Sequence, residues 1–171
     1  TSTSPSVVAT TAFSRLPSSV LGLCMPGVST ITICASSRCT TPRIARLVVC
    51  GAHLDGLPLN WQLRQRGGRL LETTRSSPDY KLYALAGGPP LRPGMVRVAE
   101  GGAAVEVEVW ELPSQELGSF LTGIPAPLGL GKVQLADGRW ETGFICEPYG
   151  LDGAQDITEL GGWRTYLKRR S

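Results

Sequence analysis

His53 is the only histidine among 171 residues. It stands in the run Cys50-Gly51-Ala52-His53-Leu54-Asp55-Gly56-Leu57-Pro58-Leu59-Asn60. An imidazole titrates near pH 6.5, so it can take up and release a proton at neutral pH. Gly51 and Gly56 let the backbone turn sharply and approach a ligand closely. Successive unpaired N–H groups in such a loop form a nest for an anion. The run leaves an apolar stretch that reads as a buried strand, and sites are often built just past strand ends. The chemistry implied is the holding of a small anion and a proton transfer through His53. The plainer alternative is that His53 is a partly buried structural residue.

Other residues offer less. Asp55 could orient His53, although an Asp beside Gly is more often a turn residue. Tyr80, Lys81 and Tyr83 share one strand, Tyr80 on the face of Leu82 and Ala84 and the other two on the opposite face. Glu106 and Glu108 point the same way and read as a solvated face. No Gly-x-Ser-x-Gly elbow occurs, and Gly129-Leu130-Gly131 is too short for a dinucleotide fingerprint. The five cysteines include no CxxC pair, and the lone histidine cannot complete a zinc site with Cys34 and Cys39. Neither a metal nor a cofactor is expected. Free thiols fit a reducing, cytoplasmic setting.

Seventeen Lys and Arg against 14 Asp and Glu give a net charge of +3, too weak to imply nucleic acid or an acidic membrane surface. Part of the surplus is Lys168, Arg169 and Arg170, which suit the negative end of a closing helix. No apolar run reaches the roughly 18 residues of a membrane helix, and residues 1–34 lack the clean apolar centre of a signal peptide. Residues 1–42 are rich in Ser and Thr and hold no Asp, Glu or Lys. They read as a poorly ordered linker or a remnant of a preceding segment, with the boundary near Pro42.

The remainder, 43–171, must position the candidate site. Arg43 to Cys50 reads as a central strand, and Leu57 to Arg66 as a short helix closed by Gly67-Gly68. Arg69 to Thr74, Tyr80 to Leu85, Met95 to Val98 and Ala103 to Leu112 read as strands, the last two joined at Gly101-Gly102. Val105, Val107 and Val109 alternate with Glu106 and Glu108, which predicts one wet face. A helix follows Pro113-Ser114. Lys132 to Leu135 and Trp140 to Cys146 form a hairpin across Asp137-Gly138. A last helix, opened by Asp156 and Glu159 as a capping box, carries Trp163, Tyr166 and Leu167. The class is α+β: a small, curved, mostly antiparallel, barrel-like sheet with two or three short helices.

Several blocks, in order, resemble one family. Gly51 to Asn60, Ser77 to Leu85, Glu108 to Pro113, Gly123 to Gly131, Phe144 to Tyr149 and Gly161 to Leu167 are similar to the C-terminal domain of allophanate hydrolases, over about residues 43–168. The resemblance implies a gamma-glutamyl cyclotransferase-like fold. In that wider group a glutamate after a later helix acts as base; its place here falls near Thr122, which leaves His53 as the acid/base. The implied activity is accessory: helping to convert N-carboxycarbamate, a small carboxylate/carbamate anion, to carbon dioxide and ammonia. Gly51, Ala52 and Leu54 would bind the substrate, with Asn60, Tyr80 and either Arg75 or Lys81 in support. The implied partner is an amidase domain or subunit, since no Ser–Ser–Lys segment for the amidase step is present; a homodimer is a further expectation. The alternatives are a non-catalytic assembly domain for an amidase partner and a stand-alone cyclotransferase-like enzyme acting on another small carboxylate.

Overall fold

A computed structural model describes residues 43–171; the expectations for residues 1–42, and those for Cys24, Cys34 and Cys39, lie outside the described residues. Eight strands form two sheets. The first has the order β2-β5-β1-β7-β6 and the second β4-β3-β8. The strands are β1 Ile44–Val49, β2 Arg69–Arg75, β3 Tyr80–Ala84, β4 Pro93–Arg97, β5 Glu106–Pro113, β6 Leu128–Gln134, β7 Trp140–Cys146 and β8 Gln155–Asp156. Three helices accompany them: α1 Trp61–Gln65, α2 Ser114–Leu121 and α3 Trp163–Arg170. The α+β class and the antiparallel bias hold. The sheets are open rather than closed into one barrel.

β1 lies centrally, as its unbroken apolar run requires. It pairs antiparallel with β5 and parallel with β7, and Leu47, Val48 and Val49 are all fully buried. Each such side chain contributes about 1.5–3 kcal/mol by leaving water. Trp110, Leu112, Trp163 and Tyr166 extend the same core. The β6–β7 hairpin turns where Asp137-Gly138 places it, with β6 beginning four residues earlier than the sequence pattern indicates, at Leu128.

Four expectations need correction. The strands flanking Gly101-Gly102 belong to different sheets and form no hairpin. The first helix starts at Trp61 rather than near Pro58, because residues 51–60 make their own turns. Asp156 does cap, accepting from the Thr158 N–H at 2.9 Å, but it caps only a 3₁₀ turn at Thr158–Leu160; the chain breaks at Gly161-Gly162 before α3. The face of β5 that bears Glu108 is not wet. Glu108 is only 2% exposed and lies under the 51–60 loop and Arg164 of α3.

Candidate functional site

β1 delivers its last buried residue, Cys50, into a loop that hydrogen bonds fix at almost every step. Leu54 donates to the Gly51 carbonyl at 2.9 Å, Leu59 to Ala52 at 2.9 Å and Asn60 to Leu57 at 3.0 Å. The Asn60 side chain ties back across the loop, its Nδ2 donating to the His53 carbonyl at 2.8 Å and its Oδ1 accepting from Arg64 Nε at 2.9 Å. From below, Asp55 N–H donates to Glu108 Oε2 at 2.8 Å, and Arg164 Nη2 donates to the Asp55 carbonyl at 2.8 Å. What this scaffold leaves over is specific. Among the described residues, the N–H groups of Gly51, Ala52 and His53 meet no acceptor. A polar group left without a partner away from water is costly, so donors gathered in one turn favour an anion.

Gly51 is required here by contact. A Cβ at this position would stand 2.5 Å from the Pro93 ring, so the start of β4 packs directly on the nest. His53 is half-buried. Its ring stacks on Phe144 at 5.1 Å and 18° and meets the edge of Phe120 at 5.2 Å. Its Nε2 lies 3.0 Å from Oε1 of Gln62 on α1. An amide oxygen only accepts, so the neutral ring carries its proton on Nε2 and its lone pair on Nδ1. Burial lowers the pKa of His53 below 6.5; the Gln62 contact opposes this, and the positive charge of Arg92 adds to it.

These groups line a cavity of about 120 Å³. Gly51, Ala52 and His53 form one wall. Arg92 and Pro93 form another, and Gly123, Ile124 and Pro125, just after α2, close it with Leu128 and Phe144. No carboxylate is among the lining residues. Cys50 also borders the cavity, but burial, with Cys146 beside it, pushes its thiol up to about 12. It is not a thiolate at neutral pH and offers no nucleophile.

The predicted residues divide. His53, Gly51 and Ala52 come together at the cavity. Leu54 does not offer a donor, since its N–H is spent on Gly51 and its side chain is fully buried. Asn60 braces the loop from behind. Tyr80 is fully buried, with its hydroxyl accepting from the Gln134 N–H at 2.9 Å, away from the cavity. Asp55 pairs with Arg64 at 2.6 Å rather than with His53. Lys81 pairs with Asp156 at 3.5 Å in a wide, open groove of about 860 Å³ beside α3. That groove has neither an imidazole nor a backbone nest. Arg75 lines neither space, and Thr122, in the place of the cyclotransferase glutamate, is exposed. The pattern did not disclose Gln62, Arg92, Pro93 or Phe144; the spacing of Pro89-Pro90 and Pro93 around Arg92 is the one local hint of a rigid cationic segment.

The profile of the allophanate hydrolase C-terminal domain matches residues 45–168. The chain belongs to that family. It is 45% identical over 127 residues to a urea amidolyase of Saccharomyces cerevisiae and 44% identical over 126 residues to one of Lachancea kluyveri. These matches take in 72% and 71% of this chain but only 7% of either relative. Among solved structures, an allophanate hydrolase of Kluyveromyces lactis superposes with a TM-score of 0.73 at 42% identity, covering 75% of this chain and 22% of that one. A uropathogenic E. coli-specific protein, c4763, superposes at 0.69 with 37% identity, and the match covers 97% of its chain. The family domain therefore occurs both within very long chains and as nearly the whole of a short one.

Proposed function

We propose that this domain binds N-carboxycarbamate in the His53 cavity and supplies the proton for its breakdown, as an accessory step of urea degradation in the cytoplasm. The observation that carries the reading is the pairing of open N–H groups at Gly51, Ala52 and His53 with the one imidazole of the chain. The substrate is a dianion. One proton goes to its nitrogen, the C–N bond breaks with its electron pair passing to nitrogen, and carbon dioxide leaves. The remaining carbamate repeats the step to give ammonia and a second carbon dioxide. Free His53 is biased to the neutral form by burial; a bound dianion reverses that bias, so the ring gains its proton, on Nδ1, when substrate is present. Backbone donors then hold the carboxylate that remains.

The names of the relatives support the pathway, and the absence of a carboxylate from the cavity lining disfavours a cyclotransferase using a glutamate base. The amidase step falls to a partner domain or subunit. A second reading, an assembly domain, rests on Trp61 of α1 and Leu121 of α2, which are 57% and 47% exposed; it predicts association, as a homodimer or with the amidase, without turnover. The test is carbon dioxide release from N-carboxycarbamate generated in place by an amidase. Release above the buffer rate on adding this protein is the expected result. Concentration-dependent association with no acceleration favours the assembly reading.

A further inference from the structure

We propose that Arg92 is the clamp that makes this cavity select dianions over monoanions, holding the second carboxylate of a ligand whose first carboxylate sits on the 51–53 nest. The proposal rests on the anion-site reading of the cavity and adds its charge specificity. Arg92 lines the same cavity as His53. None of the nine ion pairs among the described residues includes it, whereas Arg164, Arg139 and Arg64 all face carboxylates. It is held in place through its backbone. Its carbonyl accepts from the Leu85 N–H at 3.0 Å, and Pro90 and Pro93 restrict the chain on either side. Pro93 in turn abuts Gly51, where a Cβ would stand 2.5 Å from the ring. Nest and arginine are thus neighbours across one cavity, fixed to each other by a backbone contact.

A guanidinium presents a planar fork that matches a carboxylate, and it stays charged at any working pH. Lining residues such as Leu59, Ile124 and Phe144 lower the local dielectric and strengthen that attraction. The influence of Arg92 on the His53 ring is independent support, because a charge that lowers an imidazole pKa must lie close to it. The site therefore carries two cationic elements, the open donors and Arg92, for two negative ends, with the imidazole between them to act on what joins them.

The experiment uses the whole chain, malonate and acetate as probes, and NMR of the single histidine. Arg92→Gln is expected to weaken malonate binding roughly 10- to 100-fold, the range of a charge-assisted hydrogen-bonded contact, and to change acetate binding by no more than a few-fold. Arg92→Lys should recover part of the malonate affinity, since it keeps the charge and loses the fork. In Arg92→Gln the His53 pKa should rise toward the ordinary imidazole value. Equal losses for both probes, unchanged malonate affinity, or no malonate preference in the unaltered protein each overturn the proposal. If the malonate preference vanishes with Arg92 but N-carboxycarbamate is not turned over, the clamp stands and the decarboxylation reading falls. If turnover and KM are unchanged in Arg92→Gln, the clamp falls and the His53 reading stands.

Discussion

Two polar clusters flank the 51–60 loop, and they differ in what is left unpaired. Beneath it, Glu108, Glu106, Arg164 and Asp55 carry four charges. Arg164 bridges Glu106 at 2.9 Å and Glu108 at 2.8 Å, and Glu108 also accepts from the Trp110 indole at 3.0 Å and from Asp55 N–H. Among the described residues no buried side-chain polar atom lacks a partner. Above the loop, the His53 cavity has fewer charges, yet it holds three open backbone donors and an arginine without a carboxylate. Charge density alone would point to the first cluster. The unpaired groups point to the second, because a saturated network has nothing left with which to hold a ligand. The saturated cluster makes the open one possible: it fixes Asp55, and through Asp55 the turn that carries His53.

The largest effect that would break this contrast lies in the lower cluster. Glu108→Ala leaves Arg164 without its buried partner and Asp55 without its acceptor. A loss of about 3–5 kcal/mol is expected, read as a fall of roughly 10 °C or more in melting temperature; a change within a degree or two would show that Glu108 does not anchor the loop. Next comes Gly51→Ala. The added methyl must displace Pro93, so about 1–3 kcal/mol of stability should be lost through overpacking, together with anion binding. Full retention of malonate affinity by this variant would separate the nest from the β4 contact.

The smallest effect concerns pH. His53 titrates below its ordinary 6.5 in the folded protein, so the unfolded chain binds the proton more readily. The stability due to the neutral ring is present above about pH 6.5 and is lost as pH falls through the folded pKa. Unfolding curves at about pH 7.5 and about pH 5.5 should diverge more for the unaltered protein than for His53→Gln. Equal divergence would mean that the ring is not held neutral by its surroundings.

Much of the frame was legible in sequence. The apolar run at Leu47-Val48-Val49 placed β1 at the centre, and Gly51 and Gly56 marked the loop that carries His53. What escaped depends on residues distant in the chain. The alternation around Glu108 is a faithful strand pattern, but its polar face is covered by Arg164, 56 residues away, and no local period announces that. Leu54 fails as a donor because its own turn consumes the N–H. Gln62 could be assigned to a helix but not to the imidazole it meets, and Arg92 reaches the cavity only through the packing of β4 on Gly51.

The most direct measurement of the central contrast is turnover of enzymically produced N-carboxycarbamate per folded molecule, in His53→Asn and Glu108→Gln side by side. His53→Asn should keep its melting temperature, a loop polar exchange costing less than about 1 kcal/mol, and should lose roughly 10²–10⁴-fold in carbon dioxide release. Glu108→Gln should lose stability while each folded molecule keeps nearly full turnover. The reverse pattern, with His53→Asn destabilised but active and Glu108→Gln folded but inactive, would contradict the account and move the chemistry to the carboxylate cluster.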